Sequence, residues 1–312
     1  MKLVIFIRPL LSLLLFSTLS ALTNINEEHA FPIQENKAYV QSLPSDISHQ
    51  NSHQDFFDKL KKIYEKNNLS KISKNPAQKQ KSNIKIPTII HLVWFGTLPH
   101  IFETWKQEWM SKHPGWDFIT WDNKLIEEKF PEKLFNQKIY DQAHIMSDYA
   151  TMSKIVRYEI LHKFGGLFIE PNLKCYKSFQ PLHEQYDFYA GLASPQAYGA
   201  VSNSIIGARA GHPILQACMK EIKKSDGPLP GDTFSGGNWM MRHLSNTALT
   251  QAVYEKIDQE NNIDTIFPQS FFDKNPSTST DFHKDSASLE FLATGYPPQE
   301  KPMVIFIASY NN

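Results

Sequence analysis

In the stretch GGLFIEPNLKCY, residues 165–176, a short apolar run ends on Glu170, Pro171 and Asn172. A carboxylate and an amide one residue apart at a strand end present oxygen atoms, the donor type that a hard divalent cation takes. In the helix-like segment just before, Lys154 and Arg157 are spaced to share one face. Two cations and a carboxylate meeting at one point suit a phosphate or a sugar hydroxyl. Spacing alone favours a plainer reading, in which Lys154 and Arg157 are solvated cations on an amphipathic helix. The residues thus pose a choice between a metal and phosphate site and the outline of one that has lost its charges.

Such groups need elements to hold them. In SDYATMSKIVRYEILHKFGG, Met152, Ile155, Val156, Ile160 and Phe164 form an apolar stripe at helical spacing, suited to packing on a sheet. Gly165 and Gly166 are expected to end that helix and turn the chain into Leu167, Phe168 and Ile169, since glycine takes the left-handed conformation at little cost. Upstream, IPTIIHLVWFG, residues 86–96, reads as a buried first strand. A helix over about 100–112 and a second strand at WDFITW follow, then strands at YDFYAGLA and SNSIIGA and a helix from His212 to Lys224. MVIFIAS near the carboxyl terminus reads as one more buried strand. This alternation predicts an α/β fold, a central, mainly parallel sheet flanked by helices. Ligands of such sheets sit beyond the carboxyl ends of the strands, which directs attention to HLVWFG and GGLFIEPN.

Three segments in order, IPTIIHLVWFG, SKIVRYEILHKFGGLFIEPNLKCY and SNSIIGARAGHPIL, resemble the GT-A-fold glycosyltransferases that carry a DXD sugar-binding region, and most closely glycosyltransferase family 32. The resemblance covers roughly residues 86–275. It implies a GT-A-like fold that binds a nucleoside-diphosphate hexose and transfers the sugar to a glycan, lipid or protein acceptor. It also implies Mn²⁺ or Mg²⁺ bridging the diphosphate, where a hard cation stabilises the charge left by the departing group. By position, Trp94 resembles the residue that stacks on the donor base, with His91 in the same motif, and Arg157 a donor-binding arginine. Gly165 and Gly166 form the turn into the site, Glu170 and Asn172 stand at the metal and donor positions, and Asn203 lies near the sugar or acceptor. Core filling is the alternative for Trp94, and a strand-end cap for Asn203.

The departures from the family pattern fall where charge matters. Acids are expected at the positions of Lys154, Glu170 and Asn172, and the three residues present sum to zero charge instead of three negative ones. No His and Trp pair follows Trp239 to close over the phosphates. Three outcomes stay open: a transferase with a weakened metal site, a metal-independent one in which Lys154 and Arg157 neutralise the diphosphate, and an inactive sugar-nucleotide or glycan-binding protein. Other chemistries find less support. His91, His162, His183 and His212 show no H-x-x-x-H ligand spacing among themselves, and FSGGNWM, residues 234–240, lacks the G-K-[ST] of a phosphate loop.

The bulk sequence sets the remaining bounds. Lys plus Arg and Asp plus Glu are equal at 32 each, so net charge gives no argument for a nucleic-acid partner. Cys175 and Cys218 are the only cysteines, which excludes a disulfide framework and leaves at most one bridge. Residues 1–22 place Lys2 and Arg8 before an apolar run ending at small residues. That pattern reads as a signal for export, with a membrane anchor over residues 3–22 as the rival. Residues 23–84 form a polar stem or linker, interrupted by QDFFDKLKKIYEK, a short amphipathic helix expected to dock on the domain at 85–312.

Overall fold

The computed structural model describes residues 50–72, 84–171, 173–175, 177–193, 201–224, 246–259, 261–267, 289–291 and 304–306. The signal or anchor at 1–22, Asn172, and the segment 234–240 with Trp239 lie outside the described residues. No helix among the described residues is long and apolar enough to cross a membrane.

A six-stranded sheet carries the fold. Its strands are β1 (Ile89–Val93), β2 (Asp117–Trp121), β3 (Gly166–Ile169), β5 (Phe188–Leu192), β6 (Val201–Ala208) and β7 (Asp264–Phe267), in the order β2-β1-β3-β6-β5-β7. All run parallel except β6, which is antiparallel to both its neighbours. Seen along the sheet, the amino end of β6 therefore shares an edge with the carboxyl ends of β1 and β3. The mainly parallel α/β sheet expected from the alternating pattern is present. The strand at MVIFIAS takes a different place: β9 (Val304–Phe306) pairs with β4 (Leu173–Cys175) and β8 (Leu289–Phe291) in a separate three-stranded sheet.

Helices cover this sheet: α2 (Phe102–Lys112), α3 (Asn123–Lys129), α4 (Gln137–Ile145), α5 (Tyr149–Phe164), α6 (Gln180–Gln185), α7 (Pro213–Lys224) and α8 (Thr247–Lys256). The amphipathic segment upstream forms α1 (Gln50–Ile72), which buries Phe56, Phe57, Leu60 and Ile63 in the same core as Ile155 and Val253. Each such side chain contributes ~1.5–3 kcal/mol on burial. Polar contacts fix the docking: Asn67 Nδ2 donates to the Asp264 carbonyl at 2.5 Å, and Lys66 pairs with Asp258 at 3.1 Å.

The helix α5 is central. Met152, Ile155, Val156, Tyr158, Ile160 and Leu161 are fully buried between the sheet and its neighbouring helices, and Arg157 and Glu159 are buried with them. Asp148 caps its start, accepting from the Thr151 N–H at 3.1 Å. Gly165 ends it at φ 65°, ψ −169°. The sign of φ is the one expected, but the extended ψ puts Gly165 in the glycine-only region beyond the left-handed helix. Close approach reinforces the demand: a Cβ on Gly165 would lie 2.7 Å from the Ala210 nitrogen, and one on Gly166 (φ 108°) 2.7 Å from the Ile89 carbonyl oxygen.

Buried histidines join the layers as neutral rings. His91 accepts from Trp121 Nε1 at Nδ1 (3.0 Å) and donates from Nε2 to the Gly165 carbonyl (2.7 Å), binding β1 to β2 and to the α5–β3 turn. His113 donates to the Trp109 carbonyl (2.8 Å) and accepts from the Phe179 N–H (3.0 Å). His183 bonds the Ile86 carbonyl and the Tyr189 hydroxyl, each at 3.1 Å. Burial disfavours their charged forms and lowers the pKa values of His91 and His113 to about 4 and of His183 to about 3. Unfolded imidazoles titrate near ~6.5, so below that value the unfolded chain binds more protons. The stability these rings contribute is complete above that pH and is lost as pH falls toward 4, on the order of 1 kcal/mol per histidine per pH unit. Glu159, whose pKa burial raises, works in the opposite sense, but it is one group against three. Thermal melting of the full chain from pH 7.5 to 4.5 is expected to show a falling midpoint below about pH 6.5, and a flat profile down to pH 5 would contradict the assignment.

Candidate functional site

The carboxyl edge of the sheet brings together Lys154, Arg157, Glu170 and Asn203, with Trp94 at the end of the neighbouring strand and packed with the other core cluster. Trp94 follows β1, Glu170 follows the adjacent strand β3, and Asn203 lies near the amino end of β6. Because α5 runs back over β3, its first half carries Lys154 and Arg157 to the same region. The Glu170 N–H donates to the Ser204 carbonyl at 3.0 Å, extending the β3–β6 pairing by one residue and setting the direction of the Glu170 side chain.

At the centre is Arg157, whose side chain is only 3% exposed. Its Nη1 donates to Glu170 Oε1 at 3.2 Å and to the Asn203 carbonyl at 2.7 Å. Its Nε reaches the Ser153 carbonyl at 3.4 Å, and the guanidinium carbon lies 4.5 Å from the centre of the Phe168 ring. The solvated cation that spacing favoured is thus a buried one, because α5 packs on all sides instead of along one stripe. Glu170 stays 27% exposed and forms the outer end of this arrangement.

Lys154 sits one turn before Arg157 and is half-buried. Desolvation, then the neighbouring Arg157 charge, lowers its pKa, while Glu170 and Asp148 act in the other direction. Trp94 is half-buried against the core, and its indole N–H donates to the Thr97 carbonyl at 3.1 Å, so this contact braces the loop after β1. Asn203 is buried. Its N–H donates to Asn246 Oδ1 at 3.1 Å and its Nδ2 to the Tyr158 hydroxyl at 3.4 Å.

The remaining residues fall elsewhere. His91, Gly165 and Gly166 meet at the start of β3, where both nitrogens of His91 are bonded within the protein and its ring packs against Gly166. These three shape the turn that sets β3 in place. Phe168, Ser153, Tyr158 and Asn246 went unmarked in the sequence although they complete the setting of Arg157 and Asn203. Phe168 offered one usable signal, since alternation along β3 puts it on the opposite face from Leu167 and Ile169 and toward α5. Both thiols are free and buried, and burial pushes their pKa values up, so neither is a nucleophile at neutral pH.

Oxygen ligands for a divalent cation are scarce among the described residues. The Glu170 carboxylate is paired with Arg157, Lys154 adds a second positive charge, and no group of three His, Cys, Asp or Glu side chains could hold a metal. A unit charge ~5 Å from a dication, at an effective dielectric of ~20, contributes roughly 7 kcal/mol of repulsion before screening and rearrangement.

Comparison with known proteins gives the family context. The family described as "Capsular polysaccharide synthesis protein" matches residues 36–224, more than half of the chain. The chain is similar to an inositol phosphoceramide mannosyltransferase of Schizosaccharomyces pombe, with 25% identity over 45% of this chain and 38% of that protein. It is also similar to an uncharacterized glycosyltransferase of Acanthamoeba polyphaga mimivirus, with 26% identity over 63% of this chain and 79% of the viral protein. The match therefore spans well under half of the fission-yeast relative. Among solved structures it is similar to the PaToxG glycosyltransferase, at 17% identity and a TM-score of 0.44, covering 55% of this chain and 70% of that one.

Breaking the central pair tests the geometry. Arg157→Ala removes the donor shared by Glu170 and the Asn203 carbonyl and is expected to cost about 2–3 kcal/mol, below the usual range for a broken buried pair because Glu170 keeps contact with water. Arg157→Lys keeps the charge but not the fork, and should lose less. Urea unfolding midpoints of the two variants check the order, and equal stability of Arg157→Ala and the parent chain would contradict it.

Proposed function

Since this chain belongs to the capsular polysaccharide synthesis protein family, we propose that it is a glycosyltransferase-like protein that binds a nucleoside-diphosphate hexose at the carboxyl edge of its sheet and transfers the sugar to an acceptor hydroxyl. The observation that carries the reading is the Arg157 guanidinium, which fixes the Glu170 carboxylate at the end of β3 beside Lys154. The names of the mannosyltransferase and glycosyltransferase relatives support the same reaction class.

Glycosyl transfer breaks the bond between the anomeric carbon and the diphosphate oxygen. The electron pair leaves with the diphosphate, while the acceptor hydroxyl bonds to that carbon and its proton passes to the departing diphosphate or to water. Cations near the departing oxygen lower the barrier. In this chain Trp94 offers an indole face for the base, and Glu170 offers a carboxylate, held in one orientation by Arg157, to sugar hydroxyls. The Mn²⁺ or Mg²⁺ implied by the resemblance does not suit the described residues, whose carboxylate is already paired and flanked by cations. The chemistry above is therefore derived without it.

A second reading, sugar-nucleotide binding without turnover, is favoured by the same ion pair, because the Glu170 oxygen that accepts from Arg157 is not open to an acceptor hydroxyl. Glycan, lipid and protein acceptors all present the required hydroxyl. Calorimetric titration of the full chain with UDP-glucose and GDP-mannose, followed by phosphorus NMR of the incubated mixtures, separates the readings. Binding of one sugar nucleotide with release of its diphosphate is the expected result. Binding without release across glycan and lipid acceptors would select the second reading, and no binding of either donor would overturn both.

A further inference from the structure

The carboxylates nearest Lys154 are already engaged. Glu170 Oε1 accepts from Arg157, and Asp148 accepts at Oδ1 from the Thr151 N–H and at Oδ2 from the Thr151 hydroxyl, 2.9 Å away. Among the described residues the Lys154 ammonium forms no hydrogen bond or ion pair, although it is half-buried. A partly desolvated charge beside a guanidinium, attracted by Glu170 and Asp148 but hydrogen-bonded to neither, is an unfavourable arrangement that a bound anion relieves. Burial and Arg157 together draw its pKa down, which agrees with that placement. An anion at the start of α5 would face the Asp148 carboxylate, which caps that end by accepting from the Thr151 N–H.

We infer that Lys154, and not a divalent metal, supplies the charge that binds the donor diphosphate, with Arg157 as the positioning residue that keeps Glu170 from neutralising it. This rests on the proposed function, since it presumes that a nucleoside diphosphate enters at this edge. An ammonium is a compact point charge on a flexible stem, and its three donors can follow phosphate oxygens as the leaving group gains negative charge. Arg157 is too enclosed to do this, its Nη1 being committed to Glu170 and the Asn203 carbonyl.

The test is calorimetric titration of the full chain with UDP and GDP, once with EDTA and once with Mn²⁺, for the parent protein, Lys154→Met and Lys154→Arg. At least one nucleotide is expected to bind the parent with a Kd that EDTA changes less than about twofold. Lys154→Met should weaken that binding at least about tenfold, a difference of ~1.4 kcal/mol, while Lys154→Arg retains most of it. Melting curves of both variants establish that they are folded, and the EDTA arm on the parent protein does not depend on them. Binding that appears only with Mn²⁺, or a folded Lys154→Met that binds as tightly as the parent, overturns the inference and leaves the proposed function standing. Failure of both nucleotides to bind the parent under either condition overturns the proposed function, and the inference with it.

Discussion

A buried guanidinium fixes the relation between α5 and the sheet. Ionised groups leave water at a cost of several kcal/mol, and the cost is tolerated only where hydrogen bonds and opposite charge replace the solvent. Arg157 meets this condition with groups from two strands: the Phe168 ring of β3 and the carboxylate that follows it, and a backbone carbonyl of β6. Any shift of α5 along the sheet would separate these partners together. The helix is therefore held in register by one polar contact set inside an otherwise apolar interface, and the residues of its first half acquire fixed positions at the strand ends.

The opposite end of α5 is fixed by space instead of charge. Gly165 and Gly166 pass so close to Ala210 and Ile89 that a methyl group would collide with backbone, and His91 closes the gap by donating to the Gly165 carbonyl. Glycines and histidine thus work as one joint, with Trp121 bonding the far nitrogen of the ring. Had the turn been looser, β3 could not lie between β1 and β6 with Glu170 emerging beside the amino end of β6. The placement of the candidate site follows from this joint as much as from the ion pair.

Most of the sheet was legible because β-branched and apolar runs report their own burial. IIHLV, DFITW, GLFI and SNSIIGA became β1, β2, β3 and part of β6, and the stripe on α5 marked a helix that does pack on the sheet. Polar residues carry no such report. Nothing local distinguishes a solvated arginine from Arg157, since its burial depends on Phe168, Glu170 and the Asn203 carbonyl, which the sheet brings to it from further along the chain. The same holds for His91, which stands in a strand that would read identically if the ring were exposed. MVIFIAS shows a third limit: the pattern announces a strand but not which sheet takes it, and pairing partners distant in sequence decide that. The resemblance pointed to the edge where Lys154, Arg157, Glu170 and Asn203 meet, yet motif position could not separate them from His91 and the glycines.

The charge pattern at that edge also bears on what chemistry it can support. A dication held by carboxylates places two positive charges at a coordinated distance from the departing oxygen, whereas one ammonium places a single charge on a side chain that moves. At equal distance and dielectric the attraction is halved. With ~3 kcal/mol per pair of unit charges at ~5 Å and a dielectric of ~20, the difference corresponds to roughly two orders of magnitude in rate before rearrangement. Binding suffers less than turnover under this substitution, because the diphosphate is already charged when it arrives and gains further charge only as the bond breaks. Under the proposed function, the buried Arg157 setting with Lys154 one turn away would hold a sugar nucleotide more readily than cleave it. That ordering follows from the charges alone and does not depend on the identity of the base or the sugar.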